Sequence, residues 1–385
     1  MACGARMLLV SSQSYCCCPF STSSLTIGPM TQYKDSGVNV ELGDACSKMA
    51  YGHAQSTFPG RVGMIGEPVL LEGGFAGLLD MGEYYLVQND DGVGTKVAVA
   101  HAMKKYDTLG YDLLAMVVDD AVCLGAEPVS ITNTIDIQKV EEEVIDGLMK
   151  GLAAACLEHK VVIAGGEIAE LNKLINGFTW NAAAVGVVGK DKVITGSAIK
   201  PGDTIVGLRS DGFRSNGLSL VREILTTAFG ESWVDQPFDD ERSWGQVVLI
   251  PSRIYASCIL DMVGRYGQPA KASVKGVAHV TGGGVRNLKR ILKKNKLGAI
   301  LDRPFEPHSV MLKLQELGEV SDQEAYGTWN MGTGMMVVST EPAVVVEIAA
   351  KYGIEAQLIG TVTDRADHVE IVSRGKFSAG ETLVF

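Results

Sequence analysis

Apolar residues occur in short runs along this chain, and most runs stop at glycine or at a polar residue. The run at 84–87 (Tyr-Tyr-Leu-Val) leads into the polar octet at 89–96, Asn-Asp-Asp-Gly-Val-Gly-Thr-Lys. The run at 161–164 predicts a buried strand that stops at Gly-Gly-Glu, residues 165–167. Further strands are predicted at 129–135, at 181–188, at 204–208 and in a segment that ends at Val338.

Between these runs, apolar residues recur at helical spacing. One helix is predicted after Lys96, and a second from Asp107 and Thr108, which suit its N-cap. Asp119 and Asp120 interrupt the second pattern, although acidic residues in mid-helix are usually solvated. Its apolar positions predict one buried face: Leu113, Leu114, Val117, Val118 and Val122. Later helices are expected at about 140–158, at 218–228 and around 288–292, so strands and helices alternate as in an α/β fold.

Length predicts two domains. The chain has 385 residues, and single cores rarely grow much beyond about 250. The turn-rich link at 193–203 contains Lys-Pro-Gly-Asp and marks the boundary, which gives an N-terminal domain at 31–196 and a C-terminal domain at 197–385. Residues 1–30 are rich in Ser and Cys and carry only Arg6 as a charge, so they are interpreted as a disordered transit-like leader or as a start-site artefact before Met30.

Charge and cysteine usage narrow the class of protein. A net charge of −11 argues against a nucleic-acid binder, which normally presents a basic face. No uninterrupted apolar stretch of about 18 residues is present, so no membrane span is predicted. Among the 8 cysteines there is no Cys-x-x-Cys pair, which disfavours a zinc site or a disulfide framework and favours the reducing cytoplasm.

The octet at 89–96 has two interpretations. Glycines let backbone N–H groups approach phosphate, and Asp oxygens suit Mg²⁺, so the octet fits a strand that ends at a polyanion site. Asp-Gly is also a strong hairpin signal, so a plain polar turn stays open. The polar and Gly-rich segments at 210–217 and 281–284 likewise fit either anion binding at a helix N-terminus or simple capping. His279, on an apolar strand, is more often a core residue than a catalyst.

The motifs occur in an order that resembles one enzyme family. The matching segments are 33–38, 73–78, 91–96, 107–116, 165–167, 215–217, 251–255 and 281–284. In this order they resemble phosphoribosylformylglycinamidine cyclo-ligase, the aminoimidazole ribonucleotide synthetase family, over residues 31–365. The resemblance implies two α/β domains of that ATP-binding superfamily, with the N-terminal sheets pairing in a homodimer.

The resemblance also implies a reaction and a set of site residues. ATP would phosphorylate the formyl oxygen of formylglycinamidine ribonucleotide, and a nitrogen would then close the imidazole ring of aminoimidazole ribonucleotide, with release of ADP and phosphate. Asp91 and Asp120 would hold Mg²⁺, Lys34 and Lys96 would meet phosphates, and Glu167 would serve the metal or orient the substrate. The remaining implied residues are, for the nucleotide, Gly74, Gly92, Gly94 and Thr95, and, for the substrate, Arg214, Ser215, Asn216, Gly282 and Gly283.

Three segments depart from the family pattern and keep alternatives open. Arg214 stands where the family has His, and arginine cannot shuttle a proton at usable pH. Residues 168–173 and 133–138 also differ from the family's segments, including the loop at 171–175. ATP handling is therefore expected to be better preserved than substrate choice. The alternatives are another ATP-using enzyme of this fold, such as a thiamine-monophosphate kinase, and a nucleotide-binding dimer without catalysis.

Overall fold

The computed structural model describes residues 40–71 and 74–385. The predictions for residues 1–30 and for Lys34 lie outside the described residues. The first half contains one six-stranded sheet in the order β1-β2-β3-β6-β4-β5. Its strands are β1 Glu67–Val69, β2 Gly77–Asp80, β3 Tyr84–Gly92, β4 Glu127–Ile137, β5 Val162–Glu170 and β6 Phe178–Gly189. All pairings are antiparallel except that of β4 with β5.

The helices of the first half are α1 Val40–Gln55, α2 Lys96–Met103, α3 Leu109–Val122 and α4 Glu142–His159. Helix α3 packs against β3, β6 and α4. Its contact with α4 depends on glycine, because a Cβ at Gly110 would lie 2.0 Å from the Leu152 nitrogen and one at Gly151 would lie 1.9 Å from the Asp107 carbonyl oxygen. The two helices therefore meet backbone to backbone.

The second half is built on a seven-stranded sheet in the order β13-β12-β9-β11-β7-β10-β8. Its strands are β7 Thr204–Arg209, β8 Val274–His279, β9 Gly298–Leu301, β10 Thr333–Ser339, β11 Ala356–Thr363, β12 Val369–Val372 and β13 Thr382–Val384. Its helices are α5 Leu218–Phe229, α6 Trp244–Val248, α7 Ala256–Val263, α8 Lys289–Leu292, α9 Ser309–Gly318, α10 Asp322–Thr328 and α11 Pro342–Lys351.

The alternation of apolar residues predicted most elements of this mixed α/β fold. The five apolar positions predicted to face inward from the second helix are all fully buried in α3. Between Gly189 and Thr204 there is no helix or strand, and the two sheets lie on either side of that segment. Helix α3 also contacts α7 and β8 of the second half, and one continuous apolar core includes residues from both halves.

Two predictions about strand ends were wrong. The strand at 84–87 continues to Gly92 and is followed by a helix, so the octet is not a hairpin turn. The strand at 161–164 does not stop at Gly165, because residues 165–170 pair in parallel with 132–137 of β4. Glycine has a low strand propensity, so local sequence predicted that the strand ends at Gly165. In the structure, hydrogen bonds from β4 outweigh that propensity and extend the strand.

No helix of the described residues is long and apolar enough to cross a bilayer.

Candidate active site

The turn after β3 is shaped by two glycines. A Cβ at Gly92 would lie 2.1 Å from Asn181 Oδ1 on the neighbouring strand, so only glycine fits there. Gly94 has φ +64°, a left-handed conformation that favours glycine. Thr95 then precedes α2, and its hydroxyl lies 3.3 Å from that of Ser219. The octet therefore joins a strand end to a helix start in close contact with the second half of the chain.

The carboxyls of Asp91 and Asp120 lie close enough for the charge of Asp120 to raise the pKa of Asp91. Burial raises the pKa of Asp91 to about 6, the Gly92 amide that donates to its Oδ1 at 2.7 Å opposes the rise, and the negative charge of Asp120 adds to it. Burial raises the pKa of Asp120 to about 7, against the positive charges of Arg290 and Arg214. Both carboxyls therefore carry an unfavourable charge that a bound cation would stabilise.

His279 contacts one of these carboxyls directly. Its Nδ1 lies 2.7 Å from Asp120 Oδ1, while its Nε2 lies 4.0 Å from Asp119 Oδ2 and has no hydrogen-bond partner. Burial lowers the pKa of His279 to about 3, so the ring is neutral. When Asp120 is ionised, the neutral ring donates to it through Nδ1–H, because a carboxylate only accepts. The expectation that His279 belongs to the core is correct for its burial, but the ring also orients a carboxyl of the candidate site.

Lys96 does not fit the predicted phosphate contact in this structure. Its side chain is completely buried, and its Nζ donates to Asp112 Oδ1 at 2.7 Å and to the Ile250 carbonyl at 2.6 Å. Asp112 is further held by Ser252, whose backbone amide donates to the same oxygen at 2.9 Å. Burial lowers the pKa of Lys96, while the charge of Asp112 opposes that shift. The ammonium is therefore part of a buried ion pair.

Arg214 is likewise turned inward. It has φ +61°, and its side chain is 1% exposed. One guanidinium nitrogen donates to Asp119 Oδ2 at 2.9 Å, and the group lies 4.9 Å from the centre of the Tyr255 ring. Asp119 Oδ1 also accepts from the Tyr255 amide at 2.8 Å. The predicted contact of Arg214 with substrate does not fit this position, because the guanidinium is engaged in the interior and shielded from solvent.

The other predicted substrate residues form one wall beside the octet. A Cβ at Gly94 would lie 3.5 Å from the Ser215 carbonyl, and one at Gly282 would lie 3.3 Å from Asn216 Oδ1. Asn216 Nδ2 lies 3.6 Å from Met116 Sδ of α3. Gly283 packs beside Asn287, whose Oδ1 accepts from the Thr281 amide at 3.1 Å. The structure thus brings together four segments that the sequence kept far apart.

Glu167 is separated from the two aspartates. It lies exposed on the edge strand β5, opposite Thr134 of β4. The same row of the sheet continues through Asn181 to Gly92. Strands are about 4.8 Å apart, so three steps place the Glu167 backbone roughly 14 Å from Gly92. Glu167 therefore does not share a metal with Asp91 in this arrangement.

An open cleft of about 1130 Å³ runs over the first sheet and beneath α1. Gly74 and Asp90 line it, and the positively charged residues among its described lining are Lys48 and Arg290. A smaller cavity of about 190 Å³ shares Gly74 and Arg290 with it. Sequence reasoning missed both cations. The run of basic residues at 286–296, directly after the Gly-rich segment, was the available signal for Arg290.

The donor set suits a metal that is shared with a ligand. Within residues 40–71 and 74–385, no group of three or more His, Cys, Asp or Glu side chains is arranged to hold a metal ion. Mg²⁺ usually takes one or two protein carboxylates together with phosphate oxygens and water. Asp91 and Asp120 supply that number of carboxylates and no more.

Comparison with known proteins gives matches over most of the chain. The family model described as AIR synthase related protein, N-terminal domain, matches residues 73–188, and its C-terminal counterpart matches residues 200–373. A phosphoribosylformylglycinamidine cyclo-ligase of Methanocaldococcus jannaschii is 39% identical over 341 residues, 87% of this chain and 93% of the relative. The enzyme of the same name from Pyrococcus furiosus is 38% identical over 338 residues, 87% of this chain and 96% of the relative.

Solved structures are similar in fold. A chain of the HypE–HypF complex superposes with a TM-score of 0.58 at 21% identity, covering 81% of this chain and 92% of that chain. ThiL complexed with AMPPCP and TMP superposes with a TM-score of 0.56 at 13% identity, covering 82% of this chain and 92% of that chain. At these identities the likeness supports the two-sheet fold alone.

Proposed function

This chain belongs to the phosphoribosylformylglycinamidine cyclo-ligase family, and from that membership we infer that it catalyses the ATP-dependent closure of an imidazole ring. It is a carbon–nitrogen ligase of purine biosynthesis that converts formylglycinamidine ribonucleotide to aminoimidazole ribonucleotide with release of ADP and phosphate. The observation that carries this conclusion is the identity of 36–39% to enzymes of that name over most of the chain. The resemblance found in the sequence is thereby confirmed.

We propose that the 1130 Å³ cleft takes the nucleotide. Pockets for small molecules measure about 300–1,000 Å³, so the cleft has room for ATP. Asp90, Gly74 and Arg290 line it. ThiL, a protein of the same fold, is described with the ATP analogue AMPPCP. ATP is therefore the nucleotide we assign to the cleft.

In this proposal the site residues hold the metal, orient one carboxyl and position the substrate. Asp91 and Asp120 would hold Mg²⁺, which when bound would offset negative charge on the transferred phosphoryl group. His279 keeps one oxygen of Asp120 in a fixed direction through Nδ1. The Gly92–Gly94 turn places backbone beside the Asp91 carboxyl, since the Gly92 amide donates to Asp91 Oδ1 at 2.7 Å. Ser215, Asn216, Gly282 and Gly283 form the wall against which the substrate is placed.

The test supplies purified chain with ATP, Mg²⁺ and formylglycinamidine ribonucleotide, and follows ADP, phosphate and the imidazole product in parallel. The proposed function predicts the three products in equal amounts. ADP release without imidazole would instead indicate a kinase, and nucleotide binding without turnover would indicate a binding protein. Complementation of a purine auxotroph blocked at this ring closure, with the chain from Met30 onward, gives the same answer in cells.

We further propose a homodimer that works in the cytoplasm, with functional domains at 31–196 and 197–385. Support for the dimer comes from the family and from the face of the first sheet opposite α3, where Val185 and Val187 are only half-buried beside the cleft. Support for the cytoplasm comes from the cysteines of the described residues, all of which are free: Cys46, Cys123, Cys156 and Cys258. Light scattering coupled to size-exclusion chromatography would test the dimer, for which twice 40.9 kDa is expected.

A further inference from the structure

We propose that Arg290, contributed by the second half of the chain, is the side chain that receives phosphate oxygens of the bound nucleoside triphosphate. The inference rests on the proposed function, which places ATP in the 1130 Å³ cleft. It adds a ligand-binding residue to a site for which the sequence had suggested Lys34 and Lys96.

Arg290 lies at the junction between the two halves. One guanidinium nitrogen donates to the Gly74 carbonyl at 2.8 Å, and the centre of the group lies 4.0 Å from the centre of the Phe75 ring. Gly74 and Phe75 belong to the first half, whereas Arg290 is carried by α8 of the second half. Stacking and hydrogen bonding therefore hold the guanidinium in the lining of the cleft.

Arg290 lies where the cleft and the smaller cavity adjoin. The same side chain lines the cleft next to Asp90 and also lines the smaller cavity.

Arg290 is better placed to bind phosphate than the two buried cations of the candidate site. Lys96 and Arg214 are buried in the interior, where they donate to Asp112 and Asp119. Arg290, by contrast, is exposed, and in the described part of the chain its hydrogen bonding uses the Gly74 carbonyl alone. Arginine has five N–H donors in a planar fork that matches phosphate, so several donors stay available to a ligand.

The lining charge of the cleft points to the same ligand. Among the described residues that line the cleft, Lys48 and Arg290 are the cations and Asp90 is the carboxylate, in a chain whose net charge is −11. A triphosphate is strongly anionic even with one Mg²⁺ bound. A guanidinium in the lining of the cleft would offset the negative charge that one Mg²⁺ leaves on the triphosphate.

The test measures the affinity of the full chain for AMPPCP and for AMP, each with Mg²⁺, by titration calorimetry. Arg290→Gln is expected to weaken AMPPCP binding at least about tenfold while changing AMP binding less than about threefold, because only the former presents the β- and γ-phosphates. Arg290→Lys, which keeps the charge but loses the fork, is expected to fall between wild type and Arg290→Gln. Lys289→Gln is the matched control, since Lys289 lies on the same helix and pairs at 3.1 Å with the exposed Asp367.

Each result decides a different question. If the wild-type chain binds neither nucleotide, the proposed function fails. If wild type binds AMPPCP and closes the ring but Arg290→Gln binds AMPPCP equally well, the Arg290 inference is overturned. An equal loss for AMP and AMPPCP would also overturn it, because a merely structural role would lower both. If Arg290→Gln does not fold, as judged by thermal unfolding beside Lys289→Gln, Arg290→Lys decides the matter by the same ratio of affinities.

Discussion

Helix α3 carries carboxylates into two different surroundings. Asp112 and Asp119 are fully buried and paired with Lys96 and Arg214. Asp120 is the next residue on the same helix. Burial raises its pKa and that of Asp91, as it does that of Asp119, but among the described residues no ammonium or guanidinium is hydrogen-bonded to Asp91 or Asp120. The first group holds the halves of the chain together, and the second is suited to receive a cation.

The comparison shows that the hydrogen-bonded partner of a charged side chain, and not its residue type, decides here whether it is structural or suited to bind a ligand. Lys96 and Asp91 belong to the same octet and both suggested ligand binding. Lys96 and Arg214 each donate to a buried carboxylate and are shielded from solvent, which leaves them poorly placed to meet a ligand. Asp91 and Asp120 are half-buried without a hydrogen-bonded cation among the described residues, so they are stabilised when a cation arrives.

The largest expected effect comes from breaking the buried pair. Lys96→Met would leave Asp112 buried without its cation, and we expect the free energy of unfolding to fall by about 3–5 kcal/mol. Urea unfolding monitored by circular dichroism measures this loss. The matched control is Lys105→Met, which removes an exposed pair with Asp107 and should cost less than about 1 kcal/mol. A stable Lys96→Met protein that loses only nucleotide affinity would reverse our assignment and restore the phosphate role.

The next effect concerns activity. Asp91→Asn removes one proposed metal ligand, and we expect ATP turnover with formylglycinamidine ribonucleotide to fall at least about 100-fold, the scale of losing a charge-stabilising group. The thermal midpoint should stay the same or rise, because the substitution removes a charge that burial disfavours. Steady-state ADP release measures the loss, with the exposed Asp107→Asn as the control. Near-normal turnover in Asp91→Asn would refute the metal role.

The smallest effect is a dependence of stability on pH. The pKa of Asp91 is about 6 and that of Asp120 about 7 in the folded protein, both above the usual 3.8. The folded state therefore binds more protons, so the contribution of these groups to stability is present below about pH 4 and is lost as pH rises through 6 to 7. Without Mg²⁺, wild type should lose stability relative to Asp91→Asn over that range. A constant difference between the two proteins from pH 4 to pH 8 would contradict the raised pKa.

Much of the fold was readable from periodicity, because helix α3 and strands β3 and β4 satisfy local patterns as well as tertiary packing. The apolar face of α3 is one example, since Leu113 and Val117 recur at helical spacing and are both fully buried. The extension of β5 through Gly165 was not readable, because its hydrogen bonds come from a partner strand that lies about 30 residues earlier. Register across a sheet is a long-range property.

Only part of the candidate site could be predicted from the sequence. Motif order named Asp91 and Asp120, which the structure brings near each other, but it could not reveal that Lys96 and Arg214 find carboxylate partners on α3. Those partners are separated from them by 16 and 95 residues in sequence. Arg290 was overlooked because a basic run usually forms a solvated face, and its contact with Phe75 depends on the docking of the two halves.

The glycine contact between α3 and α4 has a mechanical consequence. Gly110 and Gly151 let the two backbones touch, so neither helix has the clearance to slide or roll past the other. The three aspartates of α3 therefore lie on a helix whose position against α4 is set by direct backbone contact. A methyl group added at either glycine would tilt that helix, and we expect it to misalign a catalytic carboxylate from more than one helical turn away.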